Sequence, residues 1–154
     1  MYTYDELLIE ADCNNLITKE KPLLANRGRI KGNRIAIKKD MTEAEKKCVL
    51  AEELGHYYTA VGNILDQSSV ANRKQELRGR IMAYNRLAGL IDIVSAYQHR
   101  CQNLTDVAEY LDVSESFLNE ALLYYKNKYG TYVKLNNYVI IFDPSIMVME
   151  LPQK

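Results

Sequence analysis

The feature that most constrains the fold is an abrupt change of period near residue 40. Arg29-Ile30-Lys31 and Arg34-Ile35-Ala36-Ile37-Lys38 alternate polar and apolar residues about Gly32-Asn33, which predicts a β-hairpin with a two-residue turn. Asp40-Met41-Thr42 then leads into the charged run Glu43–Lys47. Thr42 and Glu45 have capping-box spacing: the hydroxyl accepts from the third helical amide and the carboxylate returns to the cap amide. The helix that follows is expected to bury Cys48, Val49 and Leu50 and to run to about Tyr58. A period of two giving way to a period of 3.6 places the chain in the α+β class.

The remaining segments extend the pattern. Leu7, Leu8 and Ala11 have helical spacing in residues 4–12. Residues 62–72 are polar and turn-like. A second long helix is predicted over about 71–90, with Leu77, Ile81, Tyr84, Leu87 and Ala88 on one side, and another over 93–101 after a break at 89–92. Thr105 and Ser114 are candidate N-caps for helices near 105–111 and 114–128. Residues 131–135 and 138–142 flank the turn signal Asn136-Asn137, and 146–151 offer a third short strand after Pro144. The polar stretch 99–103 sets the expected boundary between domains 1–102 and 103–154.

Composition limits the function classes. The 154 residues suit one domain, or one with a small appendage. Twenty Lys+Arg balance 20 Asp+Glu, so no long-range field draws the chain to nucleic acid, and bulk charge predicts no local basic patch. Cys13, Cys48 and Cys101 form no CxxC pair, which excludes a zinc ribbon and points to free thiols in a reducing cytoplasm. The N-terminal residues lack the basic and apolar regions of a signal peptide, and no apolar run is long enough to span a membrane. A cytoplasmic protein with no membrane association is the expectation. With only two histidines, far apart in sequence, an imidazole-rich zinc site is out of reach.

The chemistry concentrates in Ala51-Glu52-Glu53-Leu54-Gly55-His56-Tyr57-Tyr58. On a helix, Glu52 and His56 lie one turn apart on one face with Glu53 beside them. This is the spacing of the HExxH metallopeptidase helix, in which the first and fifth residues bind zinc and the second activates the metal-bound water. Glu in the first position is a legitimate ligand, but its added negative charge makes the metal a weaker Lewis acid. Gly55 costs a helix about 1 kcal/mol relative to Ala, which suggests that another backbone approaches closely there. Burial of this helix would be costly for Glu52 and Glu53 unless they are paired or metal-bound.

The Ile-rich hairpin of residues 27–37, the stretch Leu50–Thr59 and the helix Asn72–Tyr84 occur in an order that resembles the ImmA/IrrE metallopeptidases of phages and mobile elements. The resemblance covers roughly residues 1–100. It implies a zincin-like metallopeptidase domain that uses Zn2+ to cleave a helix-turn-helix transcriptional repressor, releasing the genes the repressor silences. Carried onto this chain, it makes Glu53 the general base and His56 a zinc ligand, with Glu52 in the place of the family's first histidine. Glu76 is the natural third ligand, although Arg78 matches the usual acidic position at least as well; Asp66 and Asp92 are the other nearby carboxylates. Tyr57 or Tyr58 would donate to a developing oxyanion, and His99 reads as an ordinary surface or partly buried histidine rather than a ligand.

Residues 104–118 resemble a helix-turn-helix, with a turn near Asp112-Val113, a second helix capped by Ser114, and the last strands in the place of a wing. The second helix opens with Glu115, which would repel phosphate, and carries no arginine or glutamine placed to read bases. Packing or partner docking is therefore expected of this region rather than DNA binding. Two functions follow: a zinc peptidase acting on one cognate repressor, or a non-catalytic anti-repressor on the same fold that acts by contact.

Overall fold

The computed structural model describes residues 2–60 and 69–153. The described residues form six helices and two three-stranded sheets, an α+β arrangement. They fall into two compact units, Met1–Ala83 and Tyr84–Lys154. Residues 90–98 form a helix that packs with elements of the second unit.

The first unit opens with α1 (Tyr4–Cys13), which has a complete capping box: Glu6 N donates to Thr3 Oγ1 (3.1 Å) and Thr3 N donates to the Glu6 carboxylate (2.9 Å). Three strands follow, β1 (Ile17–Lys21), β2 (Gly28–Lys31) and β3 (Arg34–Lys38), ordered β1-β3-β2. The expected hairpin is the antiparallel pair β2–β3, and Gly32 in its turn takes φ +60°. β1, which the sequence pattern does not announce, lies parallel to β3. It carries one aliphatic side chain among five residues, so its place comes from pairing rather than from an apolar face of its own.

Ile35 and Ile37 point inward from β3 and are fully buried, as are Leu7 of α1 and Leu50 and Leu54 of α2 (Glu43–Ala60). The capping hydroxyl expected before α2 is in place: Glu45 N donates to Thr42 Oγ1 at 3.2 Å. α1 packs along α2, and α2 lies under β2 and β3. α3 (Ser69–Leu87) begins slightly earlier and ends earlier than the expected 71–90. Leu77, expected on its buried side, is 52% exposed.

The second unit contains α4 (Leu90–Gln98), α5 (Leu104–Leu111), α6 (Glu115–Tyr129) and the antiparallel sheet β4 (Tyr132–Leu135), β5 (Tyr138–Ile141) and β6 (Met147–Glu150). α4 starts before the expected Ile93, because Asp92 accepts from Gly89 N at 3.0 Å and fixes the helix start there. The cap of α5 is Asn103, not Thr105: Asn103 Oδ1 accepts from Asp106 N at 2.8 Å. Asp112 in the left-handed conformation ends α5, and Ser114 caps α6 through Phe117 N at 3.2 Å. Tyr125, 1% exposed, donates to the Ala88 carbonyl at 2.9 Å and packs near Phe142. Helix, short turn, helix and terminal strands thus follow in the expected order.

Ser114 yields a direct stability prediction. Ser114→Ala removes the acceptor for the Phe117 amide and is expected to cost about 1 kcal/mol, whereas Ser114→Asp retains most of the stability. Urea unfolding of both variants checks this. Equal losses would show that the hydroxyl is not acting as a cap.

Candidate active site

α2 places the three candidate side chains, Glu52, Glu53 and His56, within slightly more than one turn. Glu53 is 8% exposed, while Glu52 and His56 are half-buried. Gly28, where β2 begins, sits directly over Glu53: a Cβ there would lie 3.3 Å from Glu53 Oε1 and would collide with Val49. β2 is therefore held against the Glu53 turn by the absence of a side chain.

Gly55 explains the position of the second long helix. A Cβ on Gly55 would meet the Gly79 carbonyl oxygen and approach the Gly79 Cα to 3.1 Å. A Cβ on Gly79 would meet His56 Nδ1 and lie 2.8 Å from the His56 backbone nitrogen. α2 and α3 thus meet backbone to backbone at two glycines, beside His56. The close approach expected at Gly55 is present. Its partner, Gly79, lies within the charged run 73–80, where sequence pattern alone gives no reason to single it out.

The contact also brings the charges of α3 to bear on α2. Burial first, then the charges of Glu52 and Glu76, raises the Glu53 carboxyl to about 7. Burial also holds His56 below the usual imidazole range; the charge of Glu76 opposes this and that of Arg80 adds to it. Near neutral pH, His56 is accordingly in its neutral, donor-ready form, and Glu53 is close to its midpoint.

Glu76 is exposed and ion-paired with Arg80, one turn on, at 2.8 Å. Among the described residues, no three His, Cys, Asp or Glu side chains come close enough together to hold a metal ion. Two carboxylates and an imidazole are suitable donors for zinc in kind, but Glu76 is directed to Arg80. Arg78, the alternative at the acidic position, is exposed on the same helix and brings a cation instead of a ligand. Asp66 lies outside the described residues. Asp92 caps α4 in the second unit.

Tyr58 is tied to α1, its hydroxyl accepting from Asn14 Nδ2 at 3.2 Å, and its ring packs 5.5 Å from that of Tyr57. His99 is exposed, with Nδ1 2.8 Å from the Ser95 carbonyl and its ring 4.7 Å from Tyr110, in keeping with an ordinary surface histidine. Among the described residues, no helix is long and apolar enough to cross a membrane.

Comparison with known families matches residues 15–123 to the peptidase family described as the IrrE N-terminal-like domain. The match spans more than half of the chain, includes both α2 and α3, and extends into α6. No curated protein and no solved structure matches the chain.

Proposed function

The chain belongs to the IrrE N-terminal-like peptidase family, and from that premise we propose that it is a regulator that inactivates a helix-turn-helix repressor by hydrolysing a peptide bond at the α2 motif. The observation that carries this is geometric. A buried carboxylate, Glu53, lies beneath the start of β2 in the same helical turn as half-buried Glu52 and His56.

Zinc, when bound, would polarise the scissile carbonyl and acidify a water molecule; Glu52 and His56, with Glu76 released from Arg80, are the residues that would hold it. The rest falls to the protein's own groups. Glu53, with a carboxyl near 7, accepts a proton from the attacking water and returns it to the departing amine. Burial keeps His56 neutral, so its ring nitrogen is available as a donor atom. β2 is an outer strand of the β1-β3-β2 sheet, so an extended peptide can pair along its edge beside this turn.

A second reading is favoured by one observation, the Glu76–Arg80 pair. With that carboxylate engaged on its own helix, the fold serves a contact-acting anti-repressor equally well.

The two readings separate in one experiment, using the purified chain and a helix-turn-helix repressor whose operator binding can be followed. Hydrolysis predicts discrete repressor fragments that disappear with a chelator, return with added zinc and are absent with Glu53→Gln. Loss of operator binding without fragments, unchanged by chelator or by Glu53→Gln, would establish the contact mechanism and exclude the peptidase.

A further inference from the structure

The outer face of the β1-β3-β2 sheet plays no part in the site. Because Ile35 and Ile37 point to the helices, Arg34, Ala36 and Lys38 point outward. The strand register sets Lys19 of β1 and Arg29 of β2 on either side of Ala36, and Lys31 beside Arg34. Every charged side chain on this face is a cation. Glu20, the one acid in the sheet, belongs to the opposite face, where it pairs with Lys46 at 2.7 Å and accepts from the Tyr4 hydroxyl at 3.4 Å.

The face is also concave and partly apolar. It holds a groove of about 360 Å³ whose aliphatic side chains are Ile17, Leu23 and Ala36, with the lysines and arginines around them. Leu24, next in the chain after Leu23, is 99% exposed, and Ile17 is 46% exposed. Cations around an aliphatic floor, with large aliphatic side chains left in water at the margin, form a contact surface rather than a solvated face.

We propose that this face docks an extended acidic segment of a protein partner, with aliphatic side chains on the Ala36 floor and carboxylates on the surrounding lysines and arginines. Charge complementarity supplies the sign, and the floor supplies the class. A single nucleic-acid strand needs aromatic platforms for its bases, and the groove lining has none. An extended peptide in which every second residue is in turn acidic and aliphatic meets both requirements, because alternate side chains of a strand fall on the same face. This inference concerns a different surface from the α2 motif and stands whether or not that motif hydrolyses a substrate.

Fluorescence anisotropy on the full chain tests it, with a short labelled peptide of the repeat glutamate-serine-leucine-serine as the probe, which places glutamate and leucine on one face of a strand. Saturable binding that weakens with salt is expected, reduced about tenfold by Arg29→Glu with Lys31→Glu. A matched peptide of lysine and leucine should bind the wild-type chain no better than background and gain on the charge-reversed variant. Lys19→Gln with Lys21→Gln, on the other edge strand, gives a milder loss and keeps the test valid if charge reversal disturbs folding. Glutamate–leucine binding unaffected by either pair of substitutions overturns the proposal, as does absence of binding. Tighter binding of single-stranded DNA or of anionic phospholipid vesicles, lost with the same substitutions, overturns it in favour of those partners.

Discussion

Gly79→Ala and Gly55→Ala are each expected to destabilise the first unit by roughly 2–3 kcal/mol, although alanine is the better helix former. The propensity gain is about 1 kcal/mol. Against it, the new methyl on residue 55 meets the carbonyl, carbon and Cα of Gly79, all backbone, so no rotamer change relieves the collision. On residue 79 the methyl meets the His56 backbone nitrogen and ring together. Either helix must move, and the contacts on both sides of the crossing loosen. Leu77→Ala is the internal control. It lies on the same helix, is 52% exposed, and should change stability by no more than about 0.5 kcal/mol. Urea unfolding gives the energies. Because the chain has only two histidines, the imidazole proton resonances also report on the site separately. Gly79→Ala should shift the His56 signals and leave those of His99 in place. A Gly79→Ala protein as stable as wild type would refute the backbone crossing as the device that positions α3 over His56.

That crossing illustrates how unevenly the molecule was written in its sequence. The β2–β3 hairpin, α2 and α6 were legible because each carries its own local signal: alternation about Gly32, the Thr42 cap and the Ser114 cap. Gly55 was legible as an anomaly, a helix-weakening residue within the candidate motif, and the anomaly marks the contact. Gly79 was not, since its neighbours Arg78 and Arg80 are exposed and give residues 73–80 the pattern of a solvated face. β1 was missed for a related reason. Its residues Thr18-Lys19-Glu20-Lys21 have no apolar alternation, and β3 alone makes them a strand. The start of α4 and the cap of α5 were displaced by a few residues because the deciding bonds come from Asp92 and Asn103, each competing with an equally plausible polar neighbour. The basic face was hidden by the zero net charge: alternation sends Lys19, Lys21, Arg29, Lys31, Arg34 and Lys38 to one side, while the acids lie elsewhere in the chain. A sum over the sequence cannot report that separation.

Above neutral pH, and with metal removed by a chelator, Glu53→Gln is expected to be more stable than the wild-type chain by about 3 kcal/mol. The sign follows from which state holds the proton. The ordinary carboxyl value is 4.5 and the folded value about 7, so between these pH values the folded chain keeps a proton that the unfolded chain has released. Fewer protons bound in the unfolded state means that stability falls as pH rises, from full near pH 4.5 to its lowest above about 7. Glutamine, nearly the same shape and never charged, removes that fall. The two proteins should therefore be similar near pH 4.5 and diverge steadily up to neutrality. His56 works in the opposite direction: its folded value is depressed, so it withdraws stability as pH drops through the usual imidazole range. That loss occurs in both proteins and cancels in their difference, which leaves Glu53 as the source of the divergence. Paired urea titrations between pH 4.5 and 8 provide the measurement. If the glutamine variant gains nothing at the upper end, the carboxylate is not held in the desolvated, like-charged setting described for it. If the gain is found and is erased by added zinc, the ionised carboxylate that metal-assisted hydrolysis requires is made tolerable by the cation itself. The stability cost of an ionised Glu53 in the metal-free protein would then measure how strongly this turn of α2 is built to receive positive charge.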